Sequence, residues 1–402
     1  MSFQQGLSGL NAAAKGLDAV SNNVSNANTV GFKGAAAQFA DVFAASVSGG
    51  GAGQVGIGVN VSGIKQSFTQ GNITVTNNPL DLAINGGGFF RVNNSGTVGF
   101  TRNGQFLVDK DGYIVNTSGA RLTGYAANAA GVIVPSSPTD ILISSADLTP
   151  NASTAGTIGL NLDSRETVPA AAFLYTDPTT YNSSTAMTVF DSLGNSHVMT
   201  MYFRKTAANA WNMYVGLDGA APATTTALAF NSSGAITTGM PVTALAGVNP
   251  GTGAANLTVT LDLGSATQYG STFGVNSMTQ DGYTSGRLTG LTVAADGVVQ
   301  GRYSNGQTRN LGQVVLVNFA NPNGLQSQGG NLWAETSASG QPLIGTPNSG
   351  SLGALQSAAI EESNIDLTGE LVNMITAQRN YQANAQSIKT QDAIMQTLVN
   401  LR

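Results

Sequence analysis

The chain holds one histidine and no cysteine, which narrows its chemistry at once. Without thiols there is no disulfide, no thiolate nucleophile and no Cys-based metal site. A lone imidazole cannot build a His-based metal site. His197 falls in an expected strand with no Ser or carboxylate partner at a recognisable spacing, so its expected role is structural. Gly51-Ala52-Gly53-Gln54-Val55-Gly56 fits the G-x-G-x-x-G spacing that brings backbone amides up to a dinucleotide pyrophosphate. Its context does not fit, because no strand clearly leads in and Ile57 to Val61 alternates like a strand where a helix should open. Gly86-Gly87-Gly88 lacks the Lys and hydroxyl residue of a phosphate loop. Asp109-Lys110-Asp111-Gly112 has neither the spacing nor the bidentate Glu of a calcium loop and reads as a hairpin turn. The expectation is a protein that is not an enzyme, with no cofactor and no metal.

Composition points the same way. Charged residues make up 9% of the 402, against roughly 25% in ordinary soluble domains. Their place is taken by 51 glycines and by Ala, Ser, Thr and Asn. A surface so poor in charge suits contact with other copies, where each charge would have to be paired or desolvated. A net charge of −5 with 16 basic residues argues against nucleic acid as a partner. No run of about 18 apolar residues exists, so no membrane span is expected. The N-terminal stretch has no basic leader, and Lys15 and Asp18 interrupt it, so it does not read as a cleaved signal peptide.

The elements that remain are two helical ends around a β-rich middle. Phe3, Leu7, Leu10, Ala14, Leu17, Ser21 and Val24 step by four and three. Leu367, Leu371, Met374, Gln378, Tyr381, Ala385, Ile388, Asp392, Met395 and Val399 do the same. That step is the 3.5-residue repeat of a helix packed on another helix. Ser2 with Gln5, and Ser363 with Asp366, fit capping boxes, giving helices over Ser2 to Val24 and from about Ser363–Asp366 to Leu401. Between them, short alternating runs are punctuated by Asn-Gly and Asp-Gly pairs, with Asn305-Gly306 a type I′ turn signal. The expected fold is mainly β with α-helical termini that pair as a coiled coil around nested antiparallel β domains. The expected divisions are a terminal helical domain at 1–33 and 363–402, a linker or extended segment at 34–70, a discontinuous β domain at 71–144 and 285–362, and an inserted outer β domain at 145–284.

Across Met1 to Phe32 only Lys15 and Asp18 are charged, too few for a helix whose outer face meets water. The helices are therefore expected to pack on helices of other subunits, through Phe3, Leu7, Leu10, Leu17, Val20 and Val24 and through Leu367, Leu371, Met374, Tyr381, Ile388, Met395, Leu398 and Val399. Offset contacts that do not close into a ring build a helical polymer.

Three separated segments resemble the bacterial flagellar axial proteins, the rod and hook family. They are Asn22-Asn23-Val24-Ser25-Asn26-Ala27-Asn28-Thr29-Val30-Gly31-Phe32-Lys33, then Asp81-Leu82-Ala83-Ile84-Asn85-Gly86-Gly87-Gly88-Phe89-Phe90-Arg91-Val92, then Glu370-Leu371-Val372-Asn373-Met374-Ile375-Thr376-Ala377-Gln378-Arg379-Asn380-Tyr381. Val24 and Ser25 stand where the family usually has Leu or Ile and Ala. The residues that carry the signature are Asn22, Asn23, Asn26, Gly31, Phe32, Lys33, Gly86, Gly87, Phe89 and Phe90. Length, the inserted middle segment and Phe190 to His197 point to the hook branch. The resemblance implies a subunit exported unfolded by the flagellar type III export apparatus, without a cleaved signal, to an extracellular site. It implies a homopolymer that forms a curved tubular joint transmitting torque, with a hook cap protein, a distal rod protein and a hook–filament junction protein as partners. The Gly/Ala/Ser-rich stretch from Gly34 to Gly58 would be a compliant element of that joint. Two alternatives stay open: a distal rod-type protein with an insertion, and a secreted β-rich binding module using Trp211, Tyr214 and Tyr202 as a sugar or host-surface platform.

Overall fold

Asp366 decides where the C-terminal helix begins. In the computed structural model, which describes residues 2–42, 56–251 and 253–400, helix α1 spans Ser2–Ser25 and helix α2 spans Leu367–Asn400. The Asp366 Oδ1 accepts the Thr368 amide at 3.0 Å, and its carbonyl accepts the Glu370 amide at 2.9 Å. That is a one-residue N-cap. Ser363 takes no part in it, since its Oγ accepts the Ile365 amide at 3.3 Å. Gln5 departs from the expected box as well: its Nε2 donates to the Gly56 carbonyl at 2.6 Å, reaching the segment that leads into strand Gly58–Gln66 instead of its own helix end. Helix α1 ends where Asn26 turns back, its Nδ2 donating to the Asn22 carbonyl at 3.0 Å. A side chain that competes for the last carbonyls in this way stops a helix.

Much of the expected 34–70 linker is paired strand. Strands β1 (Ala35–Val42) and β2 (Gly58–Gln66) form an antiparallel ribbon with a bulge at Gln38/Phe39. A two-stranded ribbon is marginal alone, and this one lies on α1. Ser8 Oγ accepts the Val59 amide at 3.3 Å, and Gly16 faces the Phe39 ring. The G-x-G-x-x-G stretch lies outside the described residues except for Gly56, as does the side chain of Leu398.

The chain divides into two compact units, one of residues 1–144, 290–302 and 308–402, the other of residues 145–289 and 303–307. In the first, strands from both flanks of the sequence interleave. Ile73–Val75 pairs with Ala359–Glu361, Leu82–Asn85 with Ala354–Ser357, and Phe89–Asn94 with both Thr97–Thr101 and Leu316–Asn318, all antiparallel. Residues Val314 to Val317 are fully buried, as an apolar strand run should be. Phe89, Phe100, Phe319 and Trp333 pack edge to face with centroids 4.8–6.0 Å apart.

The second unit stacks two sheets on one core. One holds Ser183–Phe190, Ser196–Ala207, Ala210–Leu217 and Thr224–Ala229. The other is centred on Ala155–Asp163, which pairs antiparallel with Gly274–Gln280 and parallel with Leu257–Asp262 and Thr267–Tyr269. The sheet is thus mixed where purely antiparallel pairing was expected. His197, Met199, Met201, Phe203 and Lys205 alternate inward along one strand. Trp211 is 1% exposed and donates from Nε1 to Gln268 Oε1 at 3.0 Å. Tyr202 and Tyr214 point to the opposite face, where Phe173 stacks on Tyr214 at 3.8 Å and 5°. Trp211 therefore lies on the opposite face from the two tyrosines, which are half-buried against Phe173.

One turn recurs and accounts for part of the Gly and Asn content. At Asp109, Asn116, Asn128, Asp191 and Asn231 the side-chain Oδ1 accepts the amides two and four residues on. Each has glycine at the fourth position with φ between +77° and +89°. This is a type I turn closed by a glycine bulge, held by an Asx bond. The 109–112 segment is such a turn, joining Phe106–Val108 to Ile114–Asn116 as the hairpin expected there. At Asn305-Gly306 only the glycine has positive φ, at +81°, so the turn is not type I′.

Candidate assembly interface

The two terminal helices are rooted by buried polar groups. Asn23 is 4% exposed. Its Nδ2 donates to the Ala35 carbonyl at 2.8 Å and its Oδ1 accepts the Ala35 amide at 2.9 Å, so a side chain acts as a strand partner where the ribbon begins. The same Nδ2 lies 3.4 Å from Glu370 Oε2 on α2. Eight residues on, Gly31 has φ +71°, and a Cβ there would lie 2.5 Å from the Asn103 nitrogen. Only glycine fits that close approach.

Lys33 then enters the protein. Its Nζ donates to Glu361 Oε1 at 2.7 Å and to the Thr69 carbonyl at 2.7 Å. Arg102 donates from Nη1 to the other oxygen, Glu361 Oε2, at 3.0 Å, and from Nη2 to the Gly86 carbonyl at 2.8 Å. The Gly71 amide adds a third contact to the Glu361 carboxylate at 2.9 Å. The side chains of Lys33 and Glu361 are fully buried and that of Arg102 is 4% exposed. Burial pushes both cations below their usual ranges, against the pull of Glu361. One carboxylate thus ties together three segments far apart in sequence. Such a network contributes little net stability and much geometric specification.

Above this root the helices run antiparallel. Gly6 sits against Ile388 and Gly9 against Asn384, so close that a Cβ would lie 3.0 Å and 2.7 Å away. The buried stripe of α1 is Gly6, Ala12, Ala19 and Asn23, a set of small or amide residues. On α2 the half-buried stripe is Glu370, Met374, Ala377, Asn384, Ile388 and Gln391. The apolar seams coincide with these stripes only in part, at Met374 and Ile388 of α2. Phe3, Leu7, Leu367, Leu371, Tyr381, Met395 and Val399 are exposed, from 38% at Tyr381 to 72% at Val399. Leu10, Leu17, Val20, Val24, Met374 and Ile388 are half-buried. Val372 and Ile375 add to the open apolar surface of α2. Between the helices and the ribbon runs an open groove of about 560 Å³ lined by Gly9, Ala12, Ala13, Gly16, Phe39 and Ala377 among others. Lys15 and Asp18, 3.4 Å apart, pair with each other on the exposed side of α1.

The signature residues serve the root more than the seam. Asn26 accepts from Thr29 and donates to Asn22, shaping the turn that delivers Gly31, half-buried Phe32 and Lys33. Gly86, at φ +119°, lets the chain pass within reach of Gly353, whose amide donates to the Gly87 carbonyl at 2.8 Å. Phe89 and Phe90 are core residues. Glu361 and Arg102, the partners of Lys33, were not singled out from sequence. The available signal was two charged residues in otherwise uncharged β segments.

Four families of flagellar segments match along the chain. Residues 3–33 match the flagella basal body rod protein family, and 83–146 the flagellar hook protein FlgE/F/G D1 domain. Residues 161–283 match the flagellar basal body protein FlaE D2 domain, and 356–401 the flagellar basal body rod FlgEFG protein C-terminal family. Over its whole length the chain is 46% identical to the flagellar hook protein FlgE of Salmonella typhimurium, itself covered in full. The chain belongs to the flagellar hook protein family. Identity to the Escherichia coli hook protein is 44%, and to that of Borreliella burgdorferi 34%, again over all of this chain and at least 99% of each relative. The crystal structure of Helicobacter pylori flagellar hook protein FlgE2 shares the fold, with a TM-score of 0.53 and 13% identity over 70% of this chain and 99% of that one. As a hook protein the chain is a structural subunit of the flagellum, in a family that is not enzymatic. No described helix is long and apolar enough to cross a membrane.

Proposed function

We propose that this hook subunit polymerises by burying the exposed seams of α1 and α2 against the same helices of neighbouring copies. The observation that carries this reading is the set of apolar side chains left exposed on both helices, Phe3 and Leu7 on α1 and Leu367, Leu371, Tyr381, Met395 and Val399 on α2. Exposed apolar surface of this extent marks an interaction site, and the near absence of charge on α1 removes the cost of desolvating it. The small residues that line the groove leave room for a neighbour's bulky side chains. The unit at 145–284 is an insertion that supplies an outer layer, and the stretch from Gly34 to Gly58 is the compliant element of a joint that bends while transmitting torque. Export unfolded through the flagellar type III apparatus suits a chain with no cysteine to cross-link on the way. The further partners are the hook cap, distal rod and hook–filament junction proteins, at an extracellular site.

Removing residues 2–22 deletes most of α1 while leaving Asn23, Gly31 and Lys33 in place. The truncated protein is expected to keep its β circular dichroism and to form no tubes by electron microscopy under conditions where the intact chain does. Tubes of the same diameter from the truncated chain would refute the terminal-helix reading.

A further inference from the structure

His197 is the chain's one histidine, and polymerisation gives it no task. Its side chain, 6% exposed, is set between two carboxylates of the unit at 145–289: Nδ1 lies 2.6 Å from Asp218 Oδ2 and Nε2 lies 3.3 Å from Asp191 Oδ2. A neutral imidazole has one N–H and one lone pair, so it can donate to only one of them. The imidazolium donates to both. Each carboxylate in turn organises a corner of the sheet. Asp191, fully buried, accepts the Leu193 and Asn195 amides at 2.9 and 2.8 Å and the Asn195 Nδ2 at 2.9 Å. Asp218, 46% exposed and at φ +50°, accepts the Val198 amide at 2.8 Å.

We propose that His197 is a proton-held clasp between these two turns, and that losing the proton frees the Asp218 turn while the Asp191 turn stays closed. The charged groups that act on the ring are these two: Asp191, from the turn joining the strands Ser183–Phe190 and Ser196–Ala207, and Asp218, from the end of the strand Ala210–Leu217. The strand neighbour across the ring, Val189, is neutral. Burial acts to lower the His197 pKa, but the bonds to Asp218 and then Asp191 outweigh it and the net shift is upward from 6.5. A group whose folded pKa is raised stabilises fully below its unfolded value and loses that contribution as pH climbs through the folded one. The window therefore opens above about 6.5. The shorter contact to Asp218 argues that this bond would persist in the neutral ring. Solvation decides otherwise: a carboxylate left facing a lone pair in the interior cannot recover its hydration, whereas Asp218 can. The remaining proton thus stays on Nε2.

Because there is one histidine, ¹⁵N-histidine labelling of the full chain reports this ring alone. The expected spectrum at about pH 6 is that of an imidazolium, passing at higher pH to the Nε2–H tautomer. Over the same transition the Val198 amide should lose at least about tenfold of its hydrogen-exchange protection, after correction for base catalysis, while Leu193 and Asn195 keep theirs. Asp218→Asn, a partly exposed and nearly isosteric change, should move the ring's titration down toward 6.5. A neutral ring at about pH 6, an Nδ1–H tautomer at high pH, or equal loss of protection at Val198 and Asn195 would overturn the proposal.

Discussion

Replacing Glu361 with alanine is expected to cost the unit that holds the terminal helices about 3–5 kcal/mol, the usual penalty for breaking a buried charge network from one side. Lys33 and Arg102 would then share a site from which water is excluded, with no counter-ion and with the Gly71 amide unpaired. Lys33→Met should cost less than half as much. It leaves Glu361 paired with Arg102 and removes one of two cations facing a single carboxylate. The asymmetry between the two variants is the informative result, because a simple loss of one ion pair would make them equal. Denaturant unfolding followed by tryptophan fluorescence can isolate the effect. The chain has two tryptophans, Trp333 in this unit and Trp211 in the other, so a Trp211→Phe background reads the first unit alone. Equal losses for the two variants, or a loss below about 1 kcal/mol for Glu361→Ala, would contradict the assigned role of the triad.

Leu371→Asp is expected to abolish assembly with almost no effect on the isolated subunit. The side chain is 44% exposed on α2, so an aspartate there stays hydrated in the monomer and should change stability by less than about 0.5 kcal/mol. In a polymer every copy would have to bury that carboxylate unpaired, at several kcal/mol per contact. A penalty of about 2.8 kcal/mol already raises the critical concentration about a hundredfold, and the contact repeats at each subunit. Leu371→Ala, which removes area without adding charge, should weaken assembly far less. Sedimentation of polymer from monomer across a concentration series gives the comparison, and unchanged critical concentration for the aspartate variant would count against a seam contact at α2.

Much of the architecture was readable from local pattern. Both helices, the period-two strands and the Asx-glycine turn at 109–112 follow from residue types within a few positions. Phase was harder to read. On α2 the repeat through Leu371, Met374, Gln378 and Ile388 shares Met374 and Ile388 with the stripe that meets α1, but that stripe runs through Glu370 and Ala377 where the repeat has Leu371 and Gln378. A 3.5-residue repeat of apolar residues picks out the larger side chains, whereas the intrachain contact uses glycine at 6 and 9 to bring the helices close. The triad was invisible because Lys33 and Glu361 lie 328 positions apart, and nothing in either neighbourhood names the other. His197 was hidden in the same way by Asp218, which only the pairing of Ser196–Ala207 with Ala210–Leu217 brings alongside. Placing Trp211 and Tyr214 on one platform was an error that parity could have prevented: residues three apart on a strand face opposite ways.

The central claim is that the seams are covered by other copies. The most direct test is thiol alkylation at position 371 in a chain with no other cysteine. Leu371→Cys keeps the position apolar and should leave the subunit able to assemble. Rapid labelling in the monomer, and labelling slowed at least about tenfold in assembled tubes, is the result the account predicts. Equal rates in monomer and tube would show that the seam stays open to water in the polymer and would contradict it.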